Sequence, residues 1–415
     1  MIKNFLLSIF LLCSFISFSQ EGSASPYSFY GLGEMRFKGT SENRAMGGIS
    51  FFADSLHFNL HNPASYANLQ YTTFTAGVSH LRTTLKTSTD AEKARRTNVD
   101  YLGLAFPMGR FGAGFGLVPY TSVGYKIINS GGGDDVETRY NGTGGINKVF
   151  FGTAYEITKG FNIGVDFNYF FGNIETTRLQ QIDSIQLGTR VISTSAASGI
   201  GMTAGINYRK RFGKSMSFYA ATTFSPAVTV SLSNEMQVGT VQFLATGGVR
   251  PVEEEDIPVA DTKVKIPARF TVGAGIGKDR KWMAGGEITL NHNSSLDNRF
   301  TDIGGVVFEN GIRFSGGGFF IPKFNSFSNY LARITYRAGF YYEDTGMVIN
   351  NQSINDLGAT FGFGFPVAGV FSNINTGFEF GKKGTTTAGL IQENYFNISL
   401  ALSLNDRWFI KRRYD

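Results

Sequence analysis

Between Phe161 and Tyr169 apolar and polar residues change places at every step: Phe161, Ile163, Val165, Phe167 and Tyr169 share one parity, and Asn162, Gly164, Asp166 and Asn168 the other. A period of two belongs to an extended strand with one apolar and one polar face. The pattern returns at Ile200, Met202, Ala204, Ile206 and Tyr208, and again at Leu357, Ala359, Phe361, Phe363 and Phe365. About fourteen such segments can be counted, at 71–84, 97–106, 111–127, 147–157, 161–175, 197–210, 215–232, 262–276, 281–291, 306–319, 330–342, 354–365, 370–381 and 394–404. Past residue 20 no apolar run reaches the roughly 18 residues of a membrane helix. A chain that spans lipid without such helices must close its sheet, because lipid cannot satisfy an open strand edge. The fold expected is all-β: a transmembrane antiparallel β-barrel of about fourteen strands over 71–404, its apolar parity toward lipid and its polar parity lining the lumen.

The connections test this reading independently of hydrophobicity. Short links at Pro107 to Arg110, Thr158 to Gly160, Arg211 to Lys214, Gly277 to Arg280 and Pro366 to Gly369 alternate with longer ones at Leu85 to Arg96, Ile128 to Ile146, Thr176 to Ala196, Ser233 to Asp261, His292 to Gly305, Glu343 to Ser353 and Lys382 to Glu393. Phe320 to Asn329 fits its short class least well. Short periplasmic turns and long external loops are the habit of outer-membrane barrels. The composition agrees: 52 Gly and 40 Phe suit a closed sheet that needs small residues where side chains crowd and large apolar ones where it meets lipid.

The first residues predict export. Lys3 precedes an apolar run from Phe5 to Phe18, then Ser19 and Gln20, which reads as a signal peptide over 1–20 cleaved after Gln20. Cys13, the only cysteine, lies inside that run behind Leu11 and Leu12, so the mature chain has no thiol for disulfide, catalysis or metal binding. The net charge of +6 collects near the expected periplasmic turns and the C-terminal tail, at Arg110, Lys159, Arg211, Lys214 and Lys278, where it can meet the head groups of outer-membrane lipid; no nucleic-acid-binding module accompanies it.

Residues 21–70 break the alternation and read as a compact, turn-rich, non-helical plug, or hatch, inside the lumen. Pro63 restrains Asn62 away from helix, and Gly47 and Gly48 allow positive φ or close backbone approach in a narrow lumen. A movable gate and a static cork are both open on these residues.

On the stretch Ala45, Gly47, Gly48, then Asp54, then Asn62, Pro63 and Ala64, with a first strand close behind at Tyr71, the chain resembles the FadL/TodX family of outer-membrane transporters of hydrophobic compounds. That family carries a hatch of the form A-x-G-G, Asp, Asn-Pro-Ala inside a fourteen-stranded barrel. Ile266 to Gly273 is similar to its L-P-x-x-x-x-x-G approach to the eighth strand. The opening Ser25-Pro26-Tyr27-Ser28-Phe29-Tyr30-Gly31-Leu32-Gly33 and the closing Leu404 to Phe409 resemble the Bacteroidetes branch, which includes PorV-like proteins. The resemblance implies either passage of a small hydrophobic ligand through a hatch-gated lumen or an accessory place beside protein partners in an outer-membrane machine for type IX secretion or barrel assembly.

Other chemistry is not expected. His57 and His61 are four apart without a third ligand, so no metal site is read there. Gly131 to Gly133 with Asp134 and Asp135 lacks the spaced carboxylates of a calcium loop, and Gly112, Gly114, Gly116, Gly362 and Gly364 repeat every second residue as strand glycines do. Glu253 to Asp256 reads as a solvated loop, no catalytic set stands out, and no cofactor is implied. The tail 405–415, expected in the periplasm, combines Arg407, Trp408, Phe409, Arg412 and Arg413, either as a girdle on lipid or as a partner-docking segment.

Overall fold

A computed structural model describes residues 23–130, 136–182, 185–213, 215–244, 248–296, 305–367 and 372–408. The expected signal peptide, residues 1–20, falls outside them, as do Gly131 to Asp135, Phe409, Arg412 and Arg413.

The hatch, expected to be non-helical, contributes β1 (Glu34–Met35) and also a one-turn helix α1 (Ser41–Arg44), whose start Thr40 caps by accepting from Asn43 N. The wall follows as β2 (Thr72–Lys86), β3 (Ala91–Met108), β4 (Phe111–Pro119), β5 (Thr121–Ser130), β6 (Val136–Gly144), β7 (Asn147–Thr158), β8 (Phe161–Ile182), β9 (Leu187–Phe212), β10 (Met216–Ser225) and β11 (Val228–Phe243). It continues as β12 (Val249–Ile257), β13 (Thr262–Ile266), β14 (Arg269–Lys278), β15 (Trp282–Asn291), β16 (Val306–Phe308), β17 (Gly311–Phe320), β18 (Thr335–Ile349), β19 (Gln352–Pro366), β20 (Asn373–Lys383) and β21 (Gln392–Asp406).

Fourteen of these close a ring among the described residues, each antiparallel to the next: β2, β3, β4, β7, β8, β9, β10, β14, β15, β17, β18, β19, β20, β21 and back to β2. This is the fourteen-stranded barrel the alternation predicts. Parity sorts as expected: on β8, Ile163, Phe167 and Tyr169 are exposed on the outer face, whereas Asn162, Asp166 and Asn168 are buried toward the lumen.

The remaining segments stand above the ring at its long-strand end. There β5 and β6 pair with each other and β6 leans on β8, while β11 takes β9 on one edge and β12 and β13 on the other. Several expected loops are therefore strand. Thr176 to Ala196 is mostly the β8–β9 hairpin, Ser233 to Asp261 mostly β11 and β12, and Leu85 to Arg96 shrinks to Thr87 through Asp90. Glu253 to Asp256, read as a loop, lies in β12. The physical reason is that β9 has 26 residues whereas a membrane crossing needs roughly 9–11. Beyond the lipid the outer face no longer has to be apolar, so the alternation stops while backbone pairing continues.

The wall is split beside β3. β3 pairs with β4 only from Leu102 to Met108, and the chain beyond Tyr120 turns to β6 and to the hatch strand β1 instead. The start of the hatch lies at that split: Gly124 donates its backbone N–H to Ser28 Oγ (3.0 Å), and Arg96 Nε donates to the Ser23 carbonyl (3.1 Å).

Candidate functional site

Residues 23–71 are packed against inward-facing wall residues around the ring, and glycines make the seat. A Cβ at Gly112 would lie 2.2 Å from the Tyr66 carbonyl oxygen, one at Gly164 2.5 Å from Pro63 and Ala64, and one at Gly339 2.2 Å from Met46. Of the glycines read from sequence as strand features, Gly112 meets hatch backbone, Gly114 the rings of Phe58 and Tyr66 and Gly362 the Ala45 methyl, whereas Gly116 and Gly364 face residues of the wall itself.

Each hatch residue singled out by sequence has a defined contact. Ala45 closes α1 and packs on Gly362. Gly47, at φ +75°, donates to Thr360 Oγ1 (2.9 Å) and accepts from Arg313 Nη2 (3.2 Å). Gly48, at φ +88°, returns its N–H to Asn43 O (2.8 Å). Asp54 accepts from the backbone of Leu56 (2.6 Å) and His57 (2.7 Å) and holds His57 Nδ1 at 2.5 Å. Asn62 caps the turn Pro63–Asn68 by accepting from Ala64 N (3.0 Å), and donates across to the Ile206 carbonyl on β9 (3.2 Å). Tyr66, on that turn, donates its hydroxyl to both oxygens of Asp166 on β8 (3.0 and 3.1 Å). His57 and His61 do not meet over a metal site, and no group of three metal-ligating side chains occurs among the described residues.

Charge fastens the opposite side of the hatch, through residues that sequence reading passed over. Glu34, Arg36 and Lys38 occupy every second position of the stretch around β1. Lys38 Nζ lies 3.2 Å from Asp356 and 3.9 Å from Glu379, Arg44 pairs with Asp100 (2.9 Å) and Glu379 (3.2 Å), Arg36 reaches Asp100 at 4.0 Å, and Glu34 pairs with Lys383 (2.9 Å). Burial alone would push the Lys38 ammonium and the Arg44 guanidinium toward neutrality, but the carboxylates around them more than offset it and hold both above their ordinary values. The signal in the sequence was the alternation Glu34, Arg36, Lys38 in the hatch, matched by the acids Asp100, Asp356 and Glu379 on polar strand faces.

The tail begins by folding back on the barrel. The Arg407 guanidinium lies 5.6 Å over the Tyr71 ring, and the Trp408 ring centroid is 5.9 Å from that of Phe106.

The profile of the BamG family matches residues 1–415. No curated protein matches. Among solved structures, the toluene transporter TbuX of Ralstonia pickettii superposes with a TM-score of 0.59 at 14% identity, over 88% of this chain and 97% of that one. The toluene transporter TodX of Pseudomonas putida gives 0.58 at 16%, over 90% and 98%. A FadL homologue of Pseudomonas aeruginosa gives 0.56 at 13%, again over 90% and 98%. At these identities the likeness is one of fold.

Proposed function

The chain belongs to the BamG family, and on that premise we propose that it is an exported, integral outer-membrane barrel whose hatch is a fixed cork, so that it serves as a non-transporting subunit of a larger outer-membrane assembly. In this reading both termini face the periplasm and the protein catalyses nothing. The Ser-Pro-Tyr-Ser opening at Ser25 supports its place in the Bacteroidetes branch, beside PorV-like accessory proteins.

One observation carries the reading: the hatch is tied to the wall on two sides by different chemistries. Lys38 and Arg44 are zipped to Asp356, Glu379 and Asp100 on one side, and Asn62 and Tyr66 are bonded to Ile206 and Asp166 on the other. Removing one partner of a buried ion pair leaves an uncompensated charge at a cost of about 3–5 kcal/mol, so a hatch held by several does not swing freely.

A second reading, passage of small hydrophobic molecules through a gated lumen, is supported by the fold shared with toluene transporters and by a cavity of about 260 Å³ between hatch and wall. Planar-bilayer recordings separate the two. The intact chain is expected to show no conductance steps, whereas deletion of residues 23–68 opens a pore in a barrel that still migrates heat-modifiably on gels. Conductance, or toluene flux into proteoliposomes, by the intact chain would overturn the cork.

A further inference from the structure

The outer face of β2 and β3 is apolar only part of the way up. Phe74, Val78, Val99 and Leu102 are exposed on it, and on the adjoining β21 the same face carries Leu400 and Ile398. Above them the parity continues but its chemistry changes. Arg82 on β2 stands directly opposite Arg95 on β3, Thr84 stands opposite Lys93, and Lys86 ends the strand. Arg82, Lys86, Lys93 and Arg95 are all exposed. Lys382 on β20, exposed likewise, joins the row through Asn394 of β21, which pairs with Thr84 on its other edge.

Aromatic rings mark the height of this row. Arg82 is paired across to Phe396, whose ring centroid lies 4.6 Å from that of Phe380, and the stack runs on from Phe380 to Phe361 on β19 (5.9 Å). Aromatic side chains at the limit of an apolar band sit at the lipid interface. The two arginines are therefore at head-group depth. No carboxylate shares their face: Glu92 has the parity of the buried Asn98, Glu393 is buried against Ser25 of the hatch, and Asp90 lies in the turn beyond Lys86, where Thr89 donates to it (3.2 Å). None of the five cations forms an ion pair among the described residues.

Like charges directly opposite on paired strands, with Cβ atoms roughly 5 Å apart, destabilise the pair unless an anion answers them. Arg82 is also positioned for one. Its Nε donates to His80 Nε2 (3.4 Å), and His80 Nδ1 is tied to Thr97 Oγ1 (2.8 Å), which leaves both terminal guanidinium nitrogens without a protein partner among the described residues. We propose that this patch binds the phosphate of an acidic glycolipid in the outer leaflet, gripped between Arg82 and Arg95 and flanked by Lys86, Lys93 and Lys382, with the acyl chains on the apolar face below. Guanidinium forks match phosphate oxygens bidentately. An acidic protein would have to sink to the level of Phe396 to reach Arg82, whereas a lipid head group is already there. The choice of leaflet rests on the barrel orientation of the proposed function, with the short turns in the periplasm.

Native mass spectrometry of the full detergent-solubilised chain tests the site, with lipid A, a phosphorylated and acylated glucosamine disaccharide, as the probe and the same lipid stripped of phosphate as comparator. Lipid A is expected to bind tighter than the stripped lipid by about tenfold or more, and Arg82→Gln with Arg95→Gln to lose about tenfold. The same exchange of two exposed lysines elsewhere, Lys263→Gln with Lys265→Gln on β13, is expected to leave affinity unchanged. All four residues are exposed, and heat-modifiable migration shows that the variants are folded. Equal affinity for the two lipids, or a folded arginine variant that holds lipid A as the parent does, would overturn the proposal; if that variant instead releases a protein that co-purifies with the parent, the patch is a protein interface. An inverted barrel leaves these affinities unchanged and shows itself only in labelling of intact cells, where it would overturn the assignment to the outer leaflet.

Discussion

Asp54 and His57 show how one residue pair sets a condition on the hatch. Burial pulls the imidazole pKa down, but Asp54 at 2.5 Å more than offsets it, so the folded value lies above the ordinary 6.5; the carboxyl is held below its ordinary 3.8. The signs differ. The histidine contribution is complete below about 6.5 and is lost as pH rises through the raised folded value; the aspartate contribution is present above about 3.8 and is lost as pH falls through the lowered one. The hatch is therefore expected to be most protected from protease in the window between, and to loosen on the alkaline side. Limited proteolysis across a pH series checks this, with His57→Gln flattening the alkaline arm; a parent protein whose alkaline arm is already flat would remove the pair from the account. The pairing was legible in sequence only as spacing, because a side chain three residues away becomes a partner only once Leu56 and His57 have turned their N–H groups onto Asp54.

Among the elements, the turn through Gly47 and Gly48 and the β18–β19 hairpin teach opposite lessons. The turn was visible as a pair of glycines, and the structure supplies the reason. A Cβ on Gly47 would need φ +75° and would stand 2.5 Å from the Phe340 carbonyl oxygen and 2.8 Å from that of Gly316. Gly47→Ala is accordingly expected to cost about 1–3 kcal/mol and to lift the hatch from β17 and β18. Hydrogen exchange at Met46 to Ile49 should accelerate while barrel amides stay protected, and unchanged exchange there would mean the wall yields instead. The hairpin was read as a long loop over Glu343 to Ser353. It is a two-residue turn at Asn350 and Asn351, both at positive φ, of the kind that matches strand twist. Pairing breaks register beyond Asp344 and resumes at Val348, where Ile349 packs inward beside Ile354 and Tyr27, so no unbroken alternation marks this end of the strand.

At the scale of the whole molecule, the barrel has a short-turn end and a tall end, which a labelling experiment can orient. Cys13, the one cysteine of the sequence, lies within the proposed leader, so single cysteines introduced beyond it report cleanly. With the proposed orientation, Val252→Cys on the exposed strand β12 is expected to react with a membrane-impermeant maleimide on intact cells, and Lys159→Cys in the turn between β7 and β8 only after lysis. The reverse pattern would invert the barrel. The split between β3 and β5 belongs to this scale too, because it exists only where the hatch start at Ser23 and Ser28 meets Gly124 and Arg96.

What the chain determined by itself was the wall. Period-two alternation, the lack of a long apolar helix past residue 20 and the rhythm of the links lead to a closed barrel of about fourteen strands, because lipid imposes apolarity on one face of every crossing and permits no open edge. What only the tertiary structure decided lies inside and above that wall. The seating of the hatch on Gly112, Gly164 and Gly339 and the pairing of Lys38 and Arg44 with acids far along the chain depend on which inward faces closure brings together. Lumenal residues face neither lipid nor a continuous apolar core, so no single solvent imposes a pattern on them, and their partners are set by ring order and register alone.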